Sequence, residues 1–230
     1  MAEADMTRAT RFSYGCGRCG RCCHGKGISL NPYEVLRLAR NRGLTTTEFI
    51  ARFTDTGGTR LAKRSDGACV FLTSEGCGVR PDRPLVCRIY PLARHVSPEG
   101  EETFFELAPD PRTEGRYGES GTVGEYLESN GAEPFIRAVD RYLDLFNSMT
   151  DSLAARIEHL SGAEREAVGR ACVRPGQDSA SPAAFDVDGT VDEYCREHGV
   201  PKPVDAQGLL ELHLEAVSAW SNQFNEENAS

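Results

Sequence analysis

No stretch of the 230-residue chain stays apolar for the roughly 20 positions that a membrane-spanning helix needs, so no membrane partner is expected. The start, MAEADMTRATRFSYG, lacks the apolar core of a secretory signal, and the expectation that follows is a reducing cytoplasm. Thiols stay reduced there. Nine cysteines is also an odd number, which excludes a complete set of intramolecular disulfides. A nucleotide-binding glycine loop is missing: TGGTR at 56–60 is too short and follows no convincing strand. Internal repeats are absent, and a single sequence assigns no Ser/His/Asp order.

What is present is a globular, somewhat polar composition, 39% hydrophobic and 27% charged, in a chain long enough to bury a core without covalent staples. In NPYEVLRLARNRG, Asn31 reads as a helix N-cap, Pro32 as the first helical residue, Glu34 as the partner of a capping box and Gly43 as the stop. TTTEFIARF repeats the device with Thr45 and Glu48, and Phe49, Ile50 and Phe53 form an apolar face. GACVFLTSEGCGV reads as a small hairpin with Cys69 and Cys77 on its two arms. RPDRPLVCRIYP places three prolines around Cys87 and favours a rigid turn over helix. Short strands are expected at Ala93–Val96 and Thr103–Leu107.

From Thr122 onward the pattern is helical, through TVGEYLESNG, AEPFIRAVDRYLDLFNSM, DSLAARIEHL and AEREAVGRACV. A Pro-, Ser-, Ala- and Gly-rich linker lies near 174–189. TVDEYCREHG then opens with an expected capping box from Thr190 to Glu193, and an amphipathic helix closes the chain. The expected fold is mainly α with a small irregular α+β cysteine-rich metal-binding N-terminal part. The expected division is a cysteine-cluster domain over 1–148 and a helical extension over 149–230.

Seven of the nine cysteines lie in the first 87 residues: Cys16, Cys19, Cys22, Cys23, Cys69, Cys77 and Cys87. Clustered cysteines in a reducing compartment point to metal or redox chemistry. A soft metal takes several thiolates at once, and loops supply them at C-x2-C spacing, here extended to C-x2-C-x2-C by Cys16, Cys19 and Cys22. Cys69, Cys77 and Cys87 are each too isolated to form a site and most simply complete the first loop, which would couple metal to fold. Neighbouring side chains usually diverge. Cys22 and Cys23 are therefore expected to serve two metals, or to leave one thiol, Cys23, free as a nucleophile. An iron–sulfur cluster such as [4Fe–4S] is favoured, zinc is the alternative, and a thiol-redox role is a third.

The charge is divided as sharply. Residues 1–97 hold 16 Lys+Arg against 8 Asp+Glu, and the other 133 hold 10 against 27. A basic half suggests a polyanion such as nucleic acid, but Arg18, Arg21, Lys26, Arg80, Arg83 and Arg88 stand beside the cysteines. Compensation of thiolate charge is the preferred reading, and nucleic acid is disfavoured. Cys172 and Cys195 read as ordinary buried residues in helical patterns. His159, His198, His213 and Trp220 read as surface or packing residues.

Cys16 to Cys23 as C-x2-C-x2-C-C, then CVFL, then CGVRPDRPLVCRIYP from Cys77 to Pro91, resemble the YkgJ-type cysteine-cluster family, described as zinc- or iron-chelating. The resemblance extends over roughly residues 14–145, where EYLESNGAEPFIRAVDRYLDL is similar to the family's helical part. It implies that the seven cysteines named above are the metal positions. Many members carry a further Cys-Pro-Gly after the Tyr-Pro element, where this chain has Ala108-Pro109-Asp110. That departure leaves one ligand position open or filled by His24 or His95, and an open position is a feature of catalytic metal sites. Flagellin lysine N-methylase is a relative of the family and implies an alternative, S-adenosylmethionine-dependent methylation of lysine on a protein substrate. The C-x3-C-x2-C spacing of radical S-adenosylmethionine enzymes is absent. The leading expectation is a cytoplasmic metal-binding protein whose downstream reaction is open. A structural-zinc scaffold, with the acidic helical half as a surface for a protein partner, is the remaining alternative.

Overall fold

The computed structural model describes residues 6–55, 57–157 and 183–227. In chain order its elements are β1 (Arg11–Gly15), α1 (Pro32–Asn41), α2 (Thr46–Phe53), β2 (Thr54–Asp55), β3 (Arg60–Leu61), β4 (Leu72–Thr73), β5 (Gly76–Cys77), α3 (Leu85–Arg88), β6 (Leu92–Val96), β7 (Glu102–Glu106), β8 (Arg116–Thr122), α4 (Val123–Ser129), α5 (Glu133–Ile157), α6 (Val187–His198) and α7 (Ala206–Glu227). The fold is mainly helical, with seven helices among the described residues, and the small sheets and cysteines concentrate in the N-terminal part. No described helix is long and apolar enough to cross a membrane.

The chain forms two interleaved units, one from Met1–Ile28 and Ala62–Ile136, the other from Ser29–Leu61 and Arg137–Ser230. All seven clustered cysteines fall in the first. Its strands make antiparallel pairs: β1 with β8, β4 with β5, and β6 with β7. The β6–β7 hairpin runs in register from Leu92 opposite Glu106 to Val96 opposite Glu102; β6 starts one residue before the expected strand and ends with it, and β7 lies one residue earlier than expected. The β1–β8 pair sets Tyr14 opposite Tyr117 and Gly15 opposite Arg116. Nothing in the pattern of RYGESGT announces β8, and the pairing closes about a hundred residues of chain. Phe12, Phe71, Leu92, Phe104, Leu127 and Phe135 form the buried apolar side of this unit.

Two expectations in this unit are corrected. The hairpin pairs Leu72 with Cys77 and Thr73 with Gly76, so Cys77 is on an arm but Cys69 precedes the hairpin and bridges to Lys63. Cys87 is not in a turn but in α3, a single helical turn. Pro84 is its N-cap, where the missing N–H of proline costs nothing.

The second unit packs α1, α2, α6 and α7 around Leu36, Val187, Val191 and Leu209, with Cys195 against that cluster. The capping boxes expected at Asn31/Glu34 and Thr45/Glu48 are both formed, as is Thr122/Glu125 in the first unit. The box expected at Thr190 is not: α6 begins earlier, at Val187, with Asp186 as its cap. Thr190 is buried inside the helix. The choice is tertiary. Asp186 accepts the Thr46 hydroxyl at 2.6 Å, the Thr47 hydroxyl at 2.7 Å and the Gly189 N–H at 3.1 Å. Thr46 and Asp188 bond reciprocally, N–H to carboxylate at 2.9 Å and N–H to hydroxyl at 2.8 Å. His213 is fully buried and hydrogen-bonds the Tyr142 hydroxyl at 2.8 Å. His198 stacks on Tyr194. Cys172, His159, the helix expected over 163–173 and most of the 174–189 linker lie outside the described residues.

Candidate metal centre

The cysteine loop leaves β1 at Gly15 and is seated by close backbone approaches. A Cβ on Gly17 would stand 2.6 Å from the Glu114 carbonyl oxygen, closer than any side chain allows. Gly20 has φ 71°, in the left-handed region, and faces Leu72. The glycines at the second position of each C-G-R repeat are therefore contact points. The segment Arg21–Cys23 then tightens into a 3-10 turn, closed by Cys23 N–H to Gly20 O at 2.9 Å and His24 N–H to Arg21 O at 3.3 Å.

This turn is tied to the second cysteine segment by the backbone. Cys69 N–H donates to Cys23 O at 2.7 Å, Gly25 N–H donates to Gly67 O at 3.1 Å, and His24 bridges Ala68. Cys69 O in turn accepts Leu72 N–H at 3.0 Å, which leads into the hairpin carrying Cys77. The loop and the hairpin thus hold the residues of both cysteine segments before any ion is present.

Cys16 is exposed, and the other six thiols of the cluster are half-buried. Cys22 and Cys23 do not diverge: the 3-10 turn brings their sulfurs to 4.0 Å. A hydrogen bond from the Cys23 thiol, aided by the nearby charges of Lys26 and Arg80, holds Cys22 down at about 6. Cys23 is correspondingly pushed up, as the partner that keeps the proton, by burial and by the charges of Cys22, Cys69 and Cys87. Burial raises Cys69, which also feels Cys77 and Cys22. Cys22, Cys23, Cys69, Cys77 and Cys87 therefore lie within electrostatic reach of one another. Arg80 donates to the Cys16 sulfur at 3.7 Å.

Among the described residues no three His, Cys, Asp or Glu side chains are already drawn together around one point in a way that could hold an ion. The donor chemistry nonetheless suits one. Two neighbouring thiols stand at 4.0 Å, and in a tetrahedral thiolate site with bonds near 2.3 Å the sulfur–sulfur edge is roughly 3.8 Å. Further thiols lie on segments hydrogen-bonded to theirs. Residues 15–110 match the family described as "CxxCxxCC: Putative zinc- or iron-chelating domain". The matched segment carries all seven clustered cysteines. No curated protein and no solved structure matches the chain significantly.

Within the matched segment the cations differ in what they touch. Arg80 reaches sulfur, and Lys26, lying 4.1 Å above the Tyr90 ring, acts on Cys22 through space. Arg83 and Arg88 also bond to the backbone and to Asn130. Arg83 donates to Arg80 O and to Asn130 Oδ1, both at 2.7 Å. Arg88, 5% exposed, donates to Asn130 O at 2.6 Å and Pro81 O at 2.7 Å, with its guanidinium 4.0 Å from the Phe135 ring. These two hold the segment that carries Cys87, and Arg83 also lies within the field of Cys77 and Cys16, so it joins a structural bond to the expected compensation of thiolate charge.

Of the two histidines, His95 is exposed in the middle of β6 opposite Thr103. His24 lies on the turn itself, its Nδ1 3.1 Å from Gly20 O. The unit that carries the cysteines also has a wall that the cysteine pattern did not reveal. Tyr14 meets Tyr117, Tyr90 and Tyr126 edge-on at 4.9, 6.0 and 6.5 Å, and Tyr126 donates to Tyr90 O at 2.6 Å. The charges of Cys16 and Cys22 act on Tyr14, so these rings border the thiols. Tyr90 was visible in CRIYP, but Tyr14 and Tyr117 meet only through the distant β1–β8 pairing.

Proposed function

We propose that the CxxCxxCC domain holds iron or zinc through thiolates drawn from Cys16, Cys19, Cys22, Cys23, Cys69, Cys77 and Cys87, with Cys22 and Cys23 on one shared ion. The observation that carries this reading is the 4.0 Å separation of two neighbouring sulfurs on an anchored turn. Such a pair suits one ion. In a four-iron cluster each of the four terminal thiolates takes a different iron. Cys69 and Cys87, whose charges act on Cys23, are further candidate donors.

When bound, the ion supplies a concentrated positive charge that keeps thiolates deprotonated and, with a position left open, acts as a Lewis acid. The chain's own residues do the rest. Cys23 and Cys69 must surrender their protons on binding, which makes uptake pH-dependent. Arg80 and Lys26 offset the negative charge gathered at Cys16 and Cys22. The reducing cytoplasm expected for this chain would preserve such thiols.

An iron–sulfur cluster is the second reading. It is favoured by the C-x2-C-x2-C spacing of Cys16, Cys19 and Cys22, which iron–sulfur proteins also use. The methylation implied by the resemblance to flagellin lysine N-methylase has no further support among the described residues.

The test is metal content per chain in protein purified without oxygen, for Cys22→Ser, Cys23→Ser and, as a control in the other unit, Cys195→Ala. The shared-ion reading expects both adjacent variants to lose metal to the same extent while Cys195→Ala keeps it. Full retention in Cys23→Ser would contradict it.

A further inference from the structure

His24 follows the paired thiols directly, and its ring is already set. The residue caps the 3-10 turn with extended backbone, φ −110° and ψ 142°. Its N–H is bonded to Arg21 O, and its backbone is bridged to Ala68. The ring folds back across the turn so that Nδ1 lies 3.1 Å from Gly20 O. A carbonyl oxygen only accepts, so Nδ1 carries the hydrogen and the lone pair of the neutral ring is at Nε2. Metal-bound histidines are prepared in this way. The nitrogen away from the metal donates to a carbonyl, which fixes tautomer and orientation and makes the other nitrogen the more basic donor.

The donor count points the same way. Seven clustered thiols are more than one tetrahedral ion takes and one fewer than two such ions take. Imidazole is a common companion of thiolate on zinc and suits iron as well. Among the described residues of this unit the histidines are His24 and His95. His95 lies in the middle of the separate β6–β7 hairpin. His24 is exposed as a residue, while Cys22 and Cys23 beside it are half-buried.

We propose that His24, through Nε2, is a metal ligand of the domain, completing with a nitrogen the donor set that the seven cysteines leave one short. This rests on the metal-chelating reading above.

The experiment compares the metal-loaded full chain with His24→Ala and His24→Cys, purified without oxygen. It measures X-ray absorption at the edge of the bound metal, competition against a chelator of known affinity, and circular dichroism. The proposal expects a nitrogen donor in the wild-type first shell that is missing from His24→Ala, and a loss of affinity above about 100-fold. That exceeds the roughly 10- to 100-fold cost of losing an outer-shell partner. It expects recovery in His24→Cys, because a thiolate can replace the imidazole as a ligand but cannot reproduce its bond to Gly20 O. A wild-type shell of sulfur alone overturns the assignment of His24 and leaves the thiolate reading standing. An unchanged donor set in His24→Ala with only about a 10-fold loss also overturns it, since that marks a positioning residue. Wild-type protein that takes up no iron or zinc overturns the metal reading itself.

Discussion

Replacing Arg88 by methionine separates two roles that an arginine beside Cys87 could have. If it balanced thiolate charge, the change would weaken metal binding and spare the fold. The structure assigns it to the fold: the guanidinium bridges Asn130 O and Pro81 O and covers the Phe135 ring, with 5% of the residue exposed. Hydrogen bonds to a charged group are worth about 1.5–3 kcal/mol each, and a desolvated cation–π contact is worth about 2 kcal/mol. Methionine recovers part of the packing on Phe135 and removes the cost of burying a charge, but it leaves two carbonyls without their donor. The net loss is about 3 kcal/mol. For a chain of this size 1 kcal/mol moves the midpoint by roughly 2–4 °C, so Arg88→Met should lower the first thermal transition of the metal-free protein by about 6–12 °C. Arg88→Lys should recover little, because one ammonium cannot span two carbonyls as a planar fork does. Calorimetry on metal-free protein reads this directly. A midpoint within about 1 °C of wild type, together with weakened metal binding, would refute the structural role.

Other perturbations follow from the same geometry. Asp186→Ala removes the α6 cap and the acceptor of two threonine hydroxyls and should destabilise the protein by about 2–3 kcal/mol in urea unfolding; a loss under about 0.5 kcal/mol would contradict that pairing. Gly17→Ala places a methyl 2.6 Å from Glu114 O, so the loop must lift. Overpacking of about 1.4 kcal/mol then appears as roughly tenfold weaker zinc binding by chelator competition. At Glu102 burial pushes the carboxyl up, but hydrogen bonds from Arg8 and Arg94 outweigh it and leave the group below its usual range. A lowered folded value means stability that is present above the unfolded value, about 4.3, and lost as pH falls through the lower folded one. The acid limb of a midpoint-against-pH curve should therefore flatten in Glu102→Gln, and an unchanged limb would speak against the pairing.

What the sequence made legible was local. The capping boxes at Asn31 and Thr45 involve residues three apart, and the β6–β7 hairpin joins neighbours, so pattern alone suffices. The start of α6 was placed too late, at Thr190, because the bonds that make Asp186 the cap come from the threonines of α2, more than a hundred residues away. Long-range pairing was invisible. β8 is glycine-rich and charged, and only its contact with β1 makes it a strand and brings Tyr14 to Tyr117. At the metal centre, the spacing of the cysteines marked the candidate donors and the glycines between them. The convergence of Cys22 and Cys23 depends on a single 3-10 turn, which spacing does not encode. The work of Arg83 and Arg88 depends on where Asn130 and Pro81 come to lie.

The most direct test of the central claim is the iron, zinc and acid-labile sulfide content of the full chain purified without oxygen, with its visible spectrum. The account predicts stoichiometric iron or zinc without matching sulfide, lost on Cys22→Ser. Sulfide in proportion to iron, with absorbance near roughly 400 nm, would contradict the shared-ion centre in favour of a cluster, and protein free of both metals would contradict chelation altogether.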